Sequence, residues 1–338
     1  MGSCTISDSF FQLPRTVDGW PWARQINPYY AEVKADSANW FRSFNAFGPK
    51  AQAAFDLCDF SLLASLAYPK LNKEQLRTGC DMMMLFFVFD EYTDDKSASV
   101  VEHYAGIVMD ALHHPEIPRP VNECLLGEVA RQFWALAVKS SSPMSQKRFI
   151  QTFARYTAAV VEQAADRDRK HVRSIEEYMY LRRFTIGAEP SYIPLILSMD
   201  LPDEVIDHPA IVSLSAFVTD MIIFDNDICS YNKEQAAGDD LHNILTIVMK
   251  EKNVSLEGAL AWVAQHHKDA AQAFLENWKS LPHWSPEIDS QVEEYIHGIG
   301  HWVRANDCWN FESGRYFGRD GLEIQKHRTV RLAAKKLF

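Results

Sequence analysis

Apolar residues recur three and four positions apart along most of the chain from about residue 30 onward, whereas the alternation typical of strands is scarce. Breaks containing proline, serine or histidine interrupt this pattern at Tyr68-Pro69, residues 113–120, residues 140–143, Leu201-Pro202 and residues 281–286. The intervals between the breaks suit helices of roughly 12–25 residues. The pattern therefore predicts an all-α fold of roughly ten helices.

The first 30 or so residues depart from this helical pattern. They contain Pro14, Pro21 and Pro28, and we interpret them as an extended arm that leads into the helices. A length of 338 residues permits two domains, but neither an internal repeat nor a low-complexity segment divides the chain. The simplest architecture is a single domain over residues 1–338, with residues 1–30 as its N-terminal arm.

Composition narrows the classes of function. The 47% hydrophobic fraction allows a sizeable core, and the 12% aromatic fraction would either pack that core or line an apolar cavity. The formal net charge of −11 argues against nucleic-acid binding, which requires clustered Lys and Arg side chains. It does not argue against a small anionic substrate, because metal ions can invert the local field.

Cysteine spacing and hydropathy bear on the compartment. The six cysteines are far apart and form no C-x-x-C pair, so we expect reduced thiols in a cytoplasmic protein. The N-terminal sequence MGSCTISDSFF lacks a basic region followed by an apolar stretch, and no secretory signal is expected. The strongly apolar run at residues 82–89 is too short to span a bilayer. Either a monomer or a homodimer is compatible with these features.

That apolar run leads directly into an acidic cluster at residues 90–95 (DEYTDD). Asp90 and Asp94 are four positions apart and therefore share one helical face. An unpaired carboxylate at the end of an apolar run is costly, and a nearby helix C-terminus disfavours negative charge further. We therefore expect a compensating cation, and hard oxygen ligands suit Mg²⁺. The alternative is an acidic surface cap after a buried helix.

A second polar cluster, residues 224–234 (FDNDICSYNKE), follows another apolar stretch. Asn226, Ser230 and Glu234 recur every four residues, so on a helix they lie along one face over two turns. Amide, hydroxyl and carboxylate oxygens together form a ligand set for Mg²⁺, and the adjacent Lys233 offers a point charge to phosphate. The alternative, a polar helix end at solvent, does not account for three oxygen ligands in one stripe.

These two clusters carry a resemblance to a known family. N-D-x-x-S-x-x-x-E at residues 226–234 resembles the second metal-binding motif of class I terpene cyclases, and D-E-x-x-D at residues 90–94 resembles their aspartate-rich first motif. Their order and separation also match, and the surrounding strings are similar to those of sesquiterpene synthases from mushroom-forming fungi. The resemblance implies a class I terpenoid synthase-like helical bundle around an apolar cavity, with metal ligands Asp90, Asp94, Asn226, Ser230 and Glu234; a direct role for Glu91 is left open.

Two further segments match the family in places that strengthen the resemblance. Residues 181–187 (LRRFTIG) resemble its diphosphate-sensing segment, with Arg183 as the sensor and Gly187 as the helix-break position whose carbonyl faces the substrate. Arginine offers a planar fork suited to phosphate oxygens, and glycine permits a helix break. The pair Arg315-Tyr316, after a tryptophan-rich segment, resembles the R-Y pair that binds diphosphate as the site closes. A surface arginine pair and a packing glycine are the alternative for residues 181–187.

The resemblance implies an acyclic prenyl diphosphate substrate, farnesyl diphosphate first, and three Mg²⁺ ions that make diphosphate a leaving group. Arg183, Lys233, Arg315 and Tyr316 would hold the diphosphate oxygens. An allyl cation would then form in an apolar pocket, where aromatic faces stabilise cations by roughly 0.5–2 kcal/mol each. The aromatic candidates for that pocket are Phe86 and Phe87, near the face of Asp90, and Trp302, Trp309 and Tyr316, spaced seven residues apart.

Three other functions compete with a sesquiterpene synthase. A prenyl-chain elongating enzyme usually carries two D-D-x-x-D sites, and a protonation-initiated cyclase requires D-x-D-D, which the chain lacks. A non-catalytic isoprenoid-binding helical protein explains the aromatic residues but not two stripes of oxygen ligands. Within the leading function, an acyclic alcohol such as nerolidol, or linalool from geranyl diphosphate, is the alternative to a cyclic hydrocarbon.

Overall fold

Helices form almost all of the regular structure in the computed structural model, which describes residues 9–199 and 201–335. The α-helices are α1 (Tyr30–Arg42), α2 (Pro49–Leu57), α3 (Phe60–Ala67), α4 (Lys73–Thr93), α5 (Ala98–His113), α6 (Leu126–Ala137), α7 (Pro143–Arg169), α8 (Ile175–Thr185), α9 (Ala188–Tyr192), α10 (Asp203–Ile206), α11 (Pro209–Ala237), α12 (Ile244–Lys252), α13 (Leu256–Trp278), α14 (Pro286–Glu312) and α15 (Gly321–His327). Short 3-10 helices lie at Val138–Ser140, Ile193–Ile196, Asp240–His242 and Gly318–Asp320.

The predicted all-α fold is confirmed, but the predicted number and lengths of helices are partly wrong. Within the described ranges there are fifteen α-helices rather than roughly ten, and they range from 4 to 29 residues. The number differs because short helices such as α9 and α10 form in segments that the hydrophobic pattern does not predict as helices. Every predicted break falls at the end of a helix or between two helices.

The described part of the N-terminal arm consists of one short strand and irregular chain with a turn at residues 16–19, and its strand pairs with the C-terminal end of the chain. Strands β1 (Phe10–Gln12) and β2 (Thr329–Arg331) are antiparallel, with Phe11 opposite Val330. Trp20 and Trp22 then pack against Phe274 of α13. Residues 1–8, which include Cys4, lie outside the described residues. The remaining five cysteines are free thiols.

Local sequence signals place the two helices that carry the polar clusters. Asn72 and Gln75 form a reciprocal capping box that starts α4, and α4 ends at Thr93, so the first cluster lies at its C-terminus. Helix α11 starts at Pro209, where a missing N–H costs nothing, and stops at Gly238, whose φ of +78° suits glycine. The second cluster lies in the last four turns of α11.

The core consists of buried apolar side chains from most of the helices, with α3 packed against α4 and α14, and α11 against α13 and α14. A second apolar cluster joins α12 and α13 to the two short strands. No helix in the described part of the chain is long and apolar enough to cross a membrane.

Candidate active site

A cavity of about 280 Å³ opens between the helices, and both polar clusters face it. Its walls come from α3, α4, α7, α8, α9, α11 and α14 and from the chain just after α14. The apolar wall consists mainly of Leu63, Met83, Phe86, Phe87, Tyr156, Ile186, Ala188, Ile222, Trp302 and Trp309. The polar end includes Asp90, Asp94, Arg167, Arg182, Asn226, Ser230, Lys233, Glu234, Asp239, Arg315 and Tyr316.

The first cluster gives the cavity two carboxylates from one face of α4, Asp90 and Asp94. Asp94 is exposed by its surface area and lines the cavity. Desolvation by the surrounding protein and the charge of Asp90 raise the pKa of Asp94 to about 8. Glu91 points instead toward Arg315, whose Nη1 donates to Glu91 Oε1 over 3.0 Å, and Glu91 is absent from the cavity lining.

The second cluster presents Asn226, Ser230 and Glu234 to the same cavity, as their spacing predicts. Burial raises the pKa of Glu234 to about 7, and the charge of Asp227 adds to this rise. A hydrogen bond from Asn243 Nδ2 to Glu234 Oε2, 2.9 Å long, opposes it. Lys233 is exposed and also lines the cavity.

The adjacent residues Arg315 and Tyr316 connect the two clusters. Arg315 Nη2 donates to Asp90 Oδ2 over 3.2 Å, while the Tyr316 hydroxyl accepts a hydrogen bond from Asn226 Nδ2 over 2.9 Å. Gly314 anchors this segment, because its N–H donates to the Leu57 carbonyl over 2.9 Å and a Cβ at this position would lie 2.9 Å from the same oxygen. One short segment after α14 therefore contacts both predicted metal-binding stripes.

The structure places Arg183 away from the cavity. Its guanidinium forms two hydrogen bonds with Asp220, of 2.7 and 2.8 Å, on the exposed side of α8, and it does not line the cavity. Arg182 occupies the predicted place instead, because successive helical residues point about 100° apart. Arg182 Nη2 donates to Asn226 Oδ1 over 2.9 Å and to Asp227 Oδ1 over 3.3 Å. Burial disfavours its charge, but Tyr178 and Asp227 outweigh this cost and raise the pKa of Arg182.

Gly187 separates α8 from α9 at the predicted helix break. Its φ of +71° is strained for other residues, and a Cβ there would lie 3.0 Å from the Phe86 ring. The Gly187 carbonyl accepts a hydrogen bond from Ser191 Oγ over 2.7 Å. Gly187 itself is not among the residues that line the cavity.

The predicted aromatic candidates all line the cavity. Phe87 stacks on Phe60 with ring centroids 3.8 Å apart, and Trp309 is held by a 2.8 Å hydrogen bond from Nε1 to the Cys58 carbonyl. Tyr316 is not on the same helical face as Trp302 and Trp309, because α14 ends at Glu312. It reaches the cavity from the turn that follows.

Comparison with known proteins assigns the chain to a family. Residues 81–273 match the family model described as terpene synthase family 2, C-terminal metal binding. The chain belongs to the terpene synthase family. The predicted family is therefore confirmed, and with it the prediction of a carbon–oxygen lyase that acts on diphosphates.

Curated relatives match this terpene synthase over nearly its whole length. Sesquiterpene synthase 14 of Postia placenta is 55% identical over 323 residues, which cover 96% of this chain and 92% of the relative. A Delta(6)-protoilludene synthase of Stereum hirsutum is 53% identical and covers 97% and 89%. Among solved structures, α-eudesmol synthase aligns with a TM-score of 0.76 at 20% identity, over 87% of this chain and 98% of that one.

Two residues of the terpene synthase site, Arg182 and Asn243, were not predicted from the sequence. Arg182 and the predicted Arg183 are both arginines, so they differ only in the direction in which each side chain leaves the α8 axis. Asn243, just before α12, donates from Nδ2 to Ser230 Oγ and Glu234 Oε2 and is fully buried. No motif or spacing in the sequence relates residue 243 to the second cluster.

The residues present fit a divalent metal ion with oxygen ligands. Within the described ranges, no three His, Cys, Asp or Glu side chains are gathered closely enough to hold a metal ion by themselves. Desolvation raises the pKa of Asp94 and of Glu234, so a bound cation would stabilise the carboxylate form of each. Mg²⁺ suits such a site, because it takes few protein carboxylates and retains waters or phosphate oxygens.

Proposed function

We propose that this terpene synthase is a Mg²⁺-dependent sesquiterpene synthase that ionises farnesyl diphosphate and directs the carbocation to a sesquiterpene. One observation carries the proposal: two stripes of oxygen ligands face one end of a cavity whose other walls are aromatic and aliphatic. The names of the relatives at 53–55% identity favour Delta(6)-protoilludene as the product.

The metal ligands would be Asp90 and Asp94 on α4 and Asn226, Ser230 and Glu234 on α11. When bound, Mg²⁺ neutralises diphosphate oxygens and makes diphosphate a better leaving group. Three ions is the number that the family resemblance implies. Asp90 currently pairs with Arg315, and Asn226 with Arg182 and Tyr316.

The diphosphate would be held by side chains at the polar end of the cavity. Arg182 and Arg315 are largely buried there, with side chains 18% and 12% exposed, and their guanidinium groups offer several donors to phosphate oxygens. Lys233 adds a point charge, and the Tyr316 hydroxyl adds a donor. Because Arg182 and Arg315 are preorganised away from bulk water, they would stabilise the charge that collects on diphosphate as the C–O bond breaks.

The prenyl chain would occupy the apolar part of the cavity. Phe86, Phe87 and Trp309 line the cavity and are fixed by their packing, so each would meet a cation at a defined position. Low polarity along these walls also limits the water that could quench the cation early. A cyclic hydrocarbon is therefore favoured over an acyclic alcohol.

The test is incubation of the purified protein with farnesyl diphosphate and MgCl₂, followed by gas chromatography with mass spectrometry. We expect a metal-dependent cyclic sesquiterpene, and a parallel incubation with geranyl diphosphate checks substrate choice. Glu234→Ala should abolish turnover while the helical circular dichroism signal is retained. Absence of any metal-dependent hydrocarbon or alcohol from either substrate would refute the proposal. Formation of nerolidol or linalool would show that the enzyme makes an acyclic alcohol instead of a cyclic product.

A further inference from the structure

Asn243 lies behind the second metal-binding stripe and contacts two of its side-chain oxygens and the Asp227 carbonyl. Its Nδ2 is 2.8 Å from the Asp227 carbonyl, 2.9 Å from Glu234 Oε2 and 3.3 Å from Ser230 Oγ. Its Oδ1 accepts from the Leu245 N–H over 3.0 Å. Three acceptors on one side and one donor on the other fix the orientation of the amide group.

The contacts of Asn243 leave the ligand atoms free on the cavity side. The Glu234 carboxylate has a second oxygen, Oε1, and the Ser230 hydroxyl oxygen has a second lone pair. Asn243 itself is fully buried and does not line the cavity, so it has no contact with a bound substrate. Any effect of Asn243 on the reaction must therefore act through the groups that it contacts, of which Ser230 and Glu234 line the cavity.

Other hydrogen bonds hold the chain around Asn243 in place. The carboxylate oxygen Oδ2 of Asp227 accepts hydrogen bonds from the Ile244 N–H over 2.9 Å and from the Tyr178 hydroxyl over 2.5 Å. The same hydroxyl lies 3.1 Å from the His242 carbonyl. The start of α12 is thus tied to α11 and α8 on both sides of Asn243, so its amide is a fixed donor rather than a mobile one.

We propose that Asn243 is a positioning residue that holds Ser230 and Glu234 in the rotamers required for divalent-metal binding. This inference rests on the proposed function, because it assigns Asn243 a role toward the ligands of that metal. Groups that orient metal ligands typically change metal affinity or activity by about 10–100-fold when they are removed. The capping oxygen and the donating nitrogen of Asn243 are separate atoms, so the two roles can be separated by substitution.

The test uses Asn243→Ser and Asn243→Gly, because both residues are accepted at a helix N-cap but neither carries the amide nitrogen that reaches Ser230 and Glu234. Asn72→Ser is the matched control, since Asn72 caps α4 with its Oδ1 and does not line the cavity. Mn²⁺ serves as the probe: its binding in the presence of inorganic diphosphate is followed by electron paramagnetic resonance, and turnover is measured against Mg²⁺ concentration. Circular dichroism melting checks the fold of each variant.

We expect both Asn243 variants to bind Mn²⁺ about 10–100-fold more weakly than the wild-type protein, with Asn72→Ser unchanged. The Mg²⁺ concentration for half-maximal turnover should rise similarly, while kcat at saturating Mg²⁺ stays within a few-fold. Wild-type Mn²⁺ affinity in a folded Asn243 variant would overturn the inference, as would failure of both variants to fold or a loss of kcat that Mg²⁺ does not rescue. If the wild-type protein itself bound no Mn²⁺ with diphosphate, the proposed function would fail instead.

Discussion

Arg182 and Arg183 are adjacent, chemically identical and placed in opposite environments, so they form a matched pair for testing the site. Arg182 contacts Asn226 and Asp227 inside the cavity, whereas Arg183 pairs with Asp220 at the surface. Replacing each by lysine keeps the positive charge and removes the planar fork. The structure predicts that only the Arg182→Lys protein loses activity.

The size of the effect follows from the contacts. Arg182 makes two charge-assisted hydrogen bonds, and each such bond contributes about 1.5–3 kcal/mol. Loss of one donor to developing negative charge typically lowers turnover by about 100–1,000-fold, and we expect kcat/KM for Arg182→Lys to fall within that range. Arg183 has a side chain that is 44% exposed, and surface ion pairs contribute only about 0–1 kcal/mol. Arg183→Lys should therefore change neither turnover nor stability measurably.

The assay is release of radiolabelled sesquiterpene from farnesyl diphosphate under saturating Mg²⁺, with kcat and KM determined for both variants. Urea unfolding of both proteins separates a catalytic loss from a folding defect. If Arg183→Lys lost activity while Arg182→Lys retained it, the orientation of α8 in this structure would be wrong. If both retained activity, neither arginine would bind the diphosphate.

Three further perturbations test the walls and the core. Phe87→Leu or Trp309→Leu should change the proportions of products on gas chromatography, because each ring lines the cavity, and an unchanged mixture would exclude that ring. Gly187→Ala should lower the urea unfolding free energy by about 1–2 kcal/mol, and by more than Gly238→Ala, whose φ is also positive but whose Cβ would contact nothing. Burial raises the pKa of Asp81 to about 6, so its stabilising protonation is complete below pH 4 and is lost as pH rises through 6. Between pH 5 and 7.5 the wild-type protein should lose about 1 kcal/mol of unfolding free energy relative to Asp81→Asn.

Local chemistry in the sequence accounts for much of the fold. The predicted break at Tyr68-Pro69 falls just after α3, and the breaks near Pro143 and Pro286 fall where α7 and α14 begin. Proline is tolerated in the first turn of a helix and disfavours helix in the residue before it, so these boundaries depend on adjacent residues alone. The strand pair β1–β2 was not predicted, because Phe10–Gln12 pairs with residues more than 300 positions away.

Some residues of the candidate site could likewise be predicted from local sequence, and others could not. Spacing by four along one helix was enough to place Asn226, Ser230 and Glu234 in one stripe facing the cavity. Spacing could not decide between Arg182 and Arg183, since the face that α8 turns inward is set by its packing on other helices. Asn243 could not be predicted from sequence spacing, because it lies just before α12 and contacts the stripe on α11 only in the folded chain.

The electrostatics of the cavity give a reason for metal binding that does not depend on the motifs. Arg315 is shared between Asp90 and Glu91, and Arg182 is directed at Asn226 and Asp227. Neither guanidinium donates to Asp94 or Glu234 in any hydrogen bond of the described residues, and the pKa of each of these carboxyls is raised by burial. An unpaired buried carboxylate such as Glu234 is destabilising, and Asp94 is repelled by the charge of Asp90, so the site as folded favours a bound positive charge. A divalent ion would satisfy these carboxylates and still carry charge for a diphosphate, which the net charge of −11 would otherwise repel.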